Sequence, residues 1–294
     1  MSLPTDQIQP TQDVIDTAFD WMASGKPVAL ATVVSTWGSS PRPPGSHLGI
    51  TAQGEMAGSV SGGCIEGAVV KEALDVLGGA PAKLLDFGVS DEQAWDVGLA
   101  CGGSVKVLVR DMAASAPLYE KARAALLTGT PSALITRLAD GETTLLGDGD
   151  LSGVLTDAAK AALRDDRSRK VEGEDGDYFV EVVAPARRMI VVGAVHIAQT
   201  LVPMAAMCGF KVTVVDPRRA FASDARFPGV DVRTDWPDEA MDELQPDMRT
   251  AIVTLTHDPK LDDPALEKAL RSKAFYIGAL GSTRTQAKRV DRLT

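Results

Sequence analysis

Cysteine and histidine are scarce in this chain: three of each among 294 residues, Cys64, Cys101 and Cys208, and His47, His196 and His257. A small odd cysteine count excludes a disulfide framework, and without a Cys-x-x-Cys pair there is no zinc knuckle. Three histidines leave few candidates for a metal site built on imidazole. Tyrosine is equally rare (Tyr119, Tyr178, Tyr276), and no Tyr-Lys or Ser-Tyr-Lys dehydrogenase constellation is evident. No apolar run approaches the roughly 20 residues of a membrane-spanning helix. The first thirteen residues are polar and lack the apolar core of a signal peptide, so the expectation is a cytoplasmic protein with reduced thiols. Positive charge is in deficit, 30 Lys and Arg against 40 Asp and Glu, a net charge of −10. That balance repels phosphate backbones and argues against general nucleic-acid binding. Neither a Walker-type phosphate loop nor an acidic magnesium cluster occurs, so nucleotidyl transfer lacks its usual machinery.

What is present is a pair of glycine-flanked cysteines. The stretch Gly58-Ser59-Val60-Ser61-Gly62-Gly63-Cys64-Ile65-Glu66-Gly67 puts Cys64 behind two glycines, where a helix carrying Val69, Val70, Ala73, Leu74 and Leu77 starts. The first turn of a helix has unpartnered N–H groups and a partial positive charge, which favour a thiolate. Glycines before it let the backbone approach a ligand closely. Gly98-Leu99-Ala100-Cys101-Gly102-Gly103 echoes this stretch, with the glycine pair after the cysteine and a strand to follow. Cys208, between Met207 and Gly209 at a helix end, reads instead as a buried small apolar residue.

The N-terminal half alternates short strands and helices. A helix over 12–23 precedes a strand over 28–34. The loop Trp37-Gly38-Ser39-Ser40-Pro41-Arg42-Pro43-Pro44-Gly45-Ser46 follows; it suits either a rigid surface turn or, through Arg42 and its hydroxyls, an anion. Strands are expected over 47–51, 56–60, 83–87, 104–109, 132–138, 143–146 and 178–183, with helices over 64–77, 119–127 and 155–163. Residues 165–176 are densely charged and read as solvated.

The second half has a sharper pattern. Met189 to Val192 is a short apolar strand, Gly193-Ala194-Val195-His196-Ile197-Ala198 turns into a helix, and the strand Lys211 to Val215 ends in Asp216. This is a βαβ unit of dinucleotide-binding kind, with an acidic residue about 20 positions past the glycine turn, where a ribose hydroxyl is held. A strand over 251–255 leads into Thr256-His257-Asp258, a helix over 263–271 follows with Asp262-Asp263 as its cap, and a strand over 275–280 ends near Gly281. The fold class is α/β: a mixed α/β domain over 1–186, then a Rossmann-like doubly wound parallel sheet over 187–294. Gly193, His196, Asp216 and His257 lie where such a sheet binds ligands. His196 reads as a ligand donor or a cap-region residue, and Arg218-Arg219 as an anion site or a solvated charge run. Val195 replaces the second glycine of Gly-x-Gly-x-x-Gly, and a side chain there crowds a pyrophosphate, which weakens NAD or NADP binding.

Taken together, these segments resemble the xanthine dehydrogenase accessory family (XdhC/CoxI), maturation factors of molybdenum hydroxylases. The resemblance rests on Gly38-Ser39-Ser40-Pro41-Arg42, the two cysteine loops Gly58 to Gly67 and Gly98 to Gly103, and residues 189–289 with Val215-Asp216-Pro217-Arg218, Arg226-Phe227-Pro228, Thr254-Leu255-Thr256-His257-Asp258 and Tyr276-Ile277-Gly278-Ala279-Leu280-Gly281-Ser282. The family carries Gly-Ala-Gly-His where this chain has Gly193-Ala194-Val195-His196, and its members continue in helical sequence past the segment that here ends at Thr294. The resemblance implies a carrier of the molybdenum cofactor that protects it, supports its sulfuration by a cysteine desulfurase and delivers it to an apo-hydroxylase. On that reading Cys64 and Cys101 contact molybdenum or its sulfur, Arg42 and the hydroxyls of Ser39, Ser40, Ser59 and Ser61 help hold the pterin phosphate, and Gly62 and Gly63 belong to the same cofactor site. Soft thiolates suit a thiophilic metal. The alternative from another class is an NAD(P)-dependent oxidoreductase using the C-terminal domain. A homodimer is the expected assembly.

Overall fold

The computed structural model describes residues 14–38, 40–88 and 103–294. They fall into two compact units that divide between Pro185 and Ala186.

The N-terminal unit is built on two antiparallel sheets. The first has the order β3-β2-β1-β5-β4, from β1 (Val28–Trp37), β2 (His47–Thr51), β3 (Met56–Gly58), β4 (Lys83–Phe87) and β5 (Ser104–Asp111). Helix α2 (Glu66–Leu77) lays Val69, Ala73 and Val76 against Leu48, Ile50, Val105, Val107 and Val109. Each fully buried aliphatic side chain there contributes about 1.5–3 kcal/mol. On the other face, α1 (Val14–Ala23) packs Ile15 and Ala18 beside Leu30, with Tyr119 of α3 (Ala116–Leu127).

The second sheet has the order β7-β6-β9-β8, from β6 (Ser132–Arg137), β7 (Thr143–Leu145), β8 (Arg169–Gly173) and β9 (Gly176–Val183), covered by α4 (Gly153–Asp165). β8 corrects the expectation that 165–176 is solvated chain. It is an edge strand whose exposed face carries charge, and charge is how edge strands avoid further pairing.

A buried polar chain ties the two sheets together. His47 bridges Thr32 Oγ1 (3.1 Å from Nδ1) and Glu181 Oε1 (2.9 Å from Nε2). Tyr119 donates to Glu181 Oε2 at 2.7 Å and accepts from Arg110 at 3.0 Å. Arg110 donates onward to Thr136 and Thr143. Burial pushes the Glu181 carboxyl up, but the charges and hydrogen bonds of His47, Tyr119 and Arg110 outweigh it and hold the group below the ordinary carboxylate range.

The C-terminal unit is a fully parallel sheet of order β12-β11-β10-β13-β14, from β10 (Arg188–Val192), β11 (Lys211–Val215), β12 (Asp231–Arg233), β13 (Thr250–Thr254) and β14 (Tyr276–Ala279). This is the doubly wound order, reversing direction at β10. Helix α5 (His196–Met207) covers one face; α6 (Pro237–Leu244) and α7 (Pro259–Arg271) cover the other, with α8 (Thr283–Leu293) against α7. The link from β11 to β12 is a loop rather than a helix. Helix α7 begins four residues earlier than expected: Asp258 caps it by accepting from Lys260 N, and Asp262 lies buried inside its first turn. Cys208 is exposed at the end of α5, against the expectation of burial, and Gly209 supplies the left-handed residue that follows the helix.

Candidate functional site

In the N-terminal unit the Pro41-Arg42 loop docks on the Cys64 loop through Arg42 and the Ser59 carbonyl. Helix α2 begins at Glu66, two residues after Cys64, and Ile65 at its N-cap makes no side-chain bond. Glu66, the first residue of the helix, folds back on the turn that precedes it. Its carboxylate accepts from the N–H groups of Val60 (3.2 Å), Ser61 (2.9 Å), Gly62 (3.1 Å) and Gly63 (2.8 Å). It also accepts from the Ser59 hydroxyl at 2.8 Å and from the Ser61 hydroxyl. Four converging N–H groups form an anion cradle at a helix start, and here the chain supplies its own anion. Partial burial raises the Glu66 carboxyl, but the bonds from Ser61, Ser59 and the backbone outweigh it and lower the group to about 2.

The consequence for the expected phosphate ligands is direct. The hydroxyls of Ser59 and Ser61 serve Glu66, and each also accepts a backbone N–H, from Gly62 and Ile65. They are not free for a phosphate. Ser40 donates to the carbonyl of Arg42 in its own loop. Arg42 donates from Nε to the Ser59 carbonyl at 3.2 Å, which docks the Pro-Arg loop on the cysteine loop. Among the described residues no partner engages its two terminal guanidinium nitrogens. Gly62 and Gly63 have φ of +81° and +120°, a turn that L side chains resist. Cys64 is exposed just beyond it, with no hydrogen bond among the described residues. Ser39 and Cys101 lie outside the described residues.

Glu66 is the residue that sequence reasoning missed. A signal existed: a carboxylate in the first helical turn, three residues past a turn glycine, is the pattern by which side chains satisfy helix-start N–H groups.

In the C-terminal unit the glycine turn is likewise closed on itself. Gly193 has φ +107°, and an added Cβ would stand 2.4 Å from Thr256 Cγ2, so only glycine fits between β10 and β13. Asp216 is fully buried, with both oxygens engaged. Oδ1 accepts from Arg218 N (3.0 Å) and Nε (2.9 Å); Oδ2 accepts from Ala194 N (2.8 Å) and Arg218 Nη2 (2.7 Å). Burial opposes ionisation, but the Arg218 and backbone bonds lower the Asp216 carboxyl overall. A carboxylate with four donors has no lone pair left for a ribose hydroxyl, which corrects the ribose role expected of Asp216. Arg218 is thus committed to Asp216 through Nε and Nη2, and its guanidinium, still partly exposed, stacks on Phe221, 4.5 Å from the ring centre. Arg226 reaches the Ala194 carbonyl at 2.7 Å, pinning the β11–β12 loop over the same turn.

His196 is exposed in the first turn of α5. His257 is exposed, with φ +61°, an uncommon conformation for a residue with a side chain. Its N–H donates to Asp262 at 3.0 Å, and Thr256 Oγ1 donates to the same carboxylate at 2.6 Å. Arg289, buried like Asp262, completes the cluster at 3.0 Å. Among the described residues no group of three His, Cys, Asp or Glu side chains has metal-binding geometry, and no helix is long and apolar enough to cross a membrane.

Known proteins resemble this arrangement along both units. Residues 21–88 match the "XdhC and CoxI family", and residues 189–294 match the "XdhC Rossmann domain". The chain is 27% identical over 277 residues to the molybdenum cofactor insertion chaperone PaoD of Escherichia coli, covering 94% of this chain and 74% of that protein. It is 28% identical over 276 residues to a probable xanthine dehydrogenase subunit of Bacillus subtilis, covering 90% and 81%. A crystal structure of a xanthine dehydrogenase from Bacillus halodurans superposes with a TM-score of 0.73 at 21% identity, over 95% of this chain and 85% of that one, a likeness of fold. The glycine-flanked Cys64 loop and the parallel sheet with its closed glycine turn thus fall in two matched segments of one family, and the chain belongs to the XdhC and CoxI family.

Proposed function

We propose that this protein is a molybdenum cofactor chaperone. It binds the cofactor as cargo, shields it, supports its sulfuration by a cysteine desulfurase and delivers it to an apo-hydroxylase of the xanthine dehydrogenase or CO dehydrogenase type. The observation that carries the reading is the exposed Cys64 thiol on the loop to which Arg42 docks through the Ser59 carbonyl, with the terminal nitrogens of Arg42 lacking a partner among the described residues. A soft thiol suits a thiophilic metal, and a free guanidinium edge suits a phosphate. The PaoD likeness supports the same cargo. Gly62 and Gly63 serve by shaping the turn; Ser39, Ser40 and the second thiol, Cys101, complete the proposed cofactor site. His196 and His257, both exposed at the carboxyl edge of the parallel sheet, are the proposed contacts on the C-terminal domain, with Gly193 shaping their edge. The proposed domains are 1–186 and 187–294, and the proposed setting is the cytoplasm, as a homodimer without nucleic-acid or membrane partners.

On this reading the protein turns nothing over, and the NAD(P)-dependent oxidoreductase reading loses ground. Val195 crowds the pyrophosphate position, and Asp216 is fully engaged by Arg218 and Ala194. The test is to incubate the purified protein with molybdenum cofactor released from a holo-hydroxylase and, separately, with NADH. Co-elution of pterin with unchanged nicotinamide fluorescence is expected. Enhanced NADH fluorescence without retained pterin would reverse the reading.

A further inference from the structure

The buried His47–Glu181–Tyr119 chain does more than join two sheets, because its side chains form the floor of a cavity of about 620 Å³ in the N-terminal unit. Helices α1 and α3 and the end of β9 wall it. Its sides are apolar, with Ile15, Leu126 and Val183, and the paired Asp16 and Arg123 stand at the rim. That volume lies within the range of small-molecule sites, which combine apolar walls with a few convergent polar groups.

The floor has a definite hydrogen-bond character. Glu181 accepts one bond on each oxygen, from His47 at 2.9 Å and from Tyr119 at 2.7 Å. A carboxylate offers about four acceptor positions, so each oxygen keeps one. Arg110 lies behind Tyr119 at 3.0 Å and balances the charge. The floor therefore suits a neutral group with two adjacent N–H donors better than a free cation, which would meet the Arg110 field.

From this geometry we infer that the cavity binds a flat heterocycle through a 2-aminopyrimidin-4-one edge, whose amino and ring N–H groups pair with the two oxygens of Glu181. This deepens the proposed function, since it rests on the cargo being a pterin and assigns a seat for the pterin ring. The cavity is also joined to the Cys64 loop through one residue: the carbonyl of His47 accepts the N–H of Ser59 at 3.0 Å, and Ser59 in turn holds Glu66 and Arg42.

The experiment titrates the full chain with pterin, with lumazine and with guanosine, followed by ligand fluorescence or calorimetry. Lumazine carries a carbonyl in place of the amino group and so turns an acceptor toward Glu181. Guanosine carries the same edge on a purine. Pterin is expected to bind at least tenfold more tightly than lumazine, and guanosine no more tightly than pterin. Ala124→Trp, a change at an exposed position that lines the cavity, is expected to weaken pterin at least tenfold while leaving the polar chain intact. Glu181→Gln is expected to abolish the preference over lumazine. No pterin binding, equal binding of lumazine, tighter binding of guanosine, or indifference to Ala124→Trp would each overturn the inference. If pterin alone fails while the complete cofactor is still retained by a Cys64-dependent route, the seat is wrong and the carrier reading stands.

Discussion

Replacing Glu66 with Ala is expected to destabilise the protein by about 2–4 kcal/mol and to weaken cofactor retention at least tenfold. Hydrogen bonds to a charged group contribute about 1.5–3 kcal/mol each, but they do not add, and a partly exposed carboxylate is screened. Glu66 accepts from four backbone N–H groups and two hydroxyls. Without it the N–H groups of Val60, Ser61 and Gly63 and the two hydroxyls lose their acceptor, Gly62 keeping the Ser59 oxygen, and the turn at Gly62 and Gly63 loses what holds its left-handed geometry. Glu66→Gln should fall between, since its amide nitrogen would face donors. The effect has a pH signature. The folded-state pKa is depressed from 4.5 to about 2, so the stabilisation is fully present above about pH 4.5 and disappears as pH falls toward 2. Urea unfolding of the two proteins should differ at neutral pH and converge near pH 2. Equal stability at pH 7 would contradict the role assigned to this carboxylate.

A second large effect is expected at Asp262. The carboxylate is 1% exposed and accepts from Thr256, His257 and Arg289, itself 4% exposed. Removing one partner of a buried ion pair costs about 3–5 kcal/mol, because the other charge is left buried and unpaired. Asp262→Ala should therefore speed amide exchange across β13 and α7 by a hundredfold or more, about the factor expected for a loss of that size if exchange proceeds by unfolding of the domain. Asp262→Ala combined with Arg289→Met should recover most of the loss, since an apolar replacement of a buried pair is often neutral. Persistence of the full defect in the double variant would mean that the bonds to Thr256 and His257, rather than the stranded arginine, carry the cost.

The sequence made some of this legible and hid the rest for physical reasons. The parallel sheet was readable because its strands are short apolar runs spaced by a helical pattern, and β11 matched its predicted range. The edge strands β8 and β12 were not, since an edge strand faces water and carries charge. Helix α8 escaped because its inward contact is Arg289 rather than an apolar stripe. The turn at Gly62-Gly63 was legible from glycine alone, whereas its occupant, Glu66, was hidden because spacing does not show that a carboxylate at the first helical position folds back on the turn before it. The polar chain beneath the cavity was invisible because His47 and Glu181 are 134 residues apart and meet only once the two sheets pack. The ribose role expected of Asp216 failed because Arg218, two residues on, can fold back on it, and spacing alone does not say which partner a carboxylate takes.

The central claim is that the exposed thiol on the Gly62-Gly63 turn holds the cargo. The direct measurement is molybdenum bound per chain, by metal analysis after incubation with released cofactor and gel filtration, for the parent protein and for Cys64→Ala. Cys64 is exposed and makes no hydrogen bond among the described residues, so the variant should fold with unchanged circular dichroism. The account predicts at least a tenfold loss of affinity in the variant. Retention equal to the parent would remove Cys64 from the site and with it the central claim.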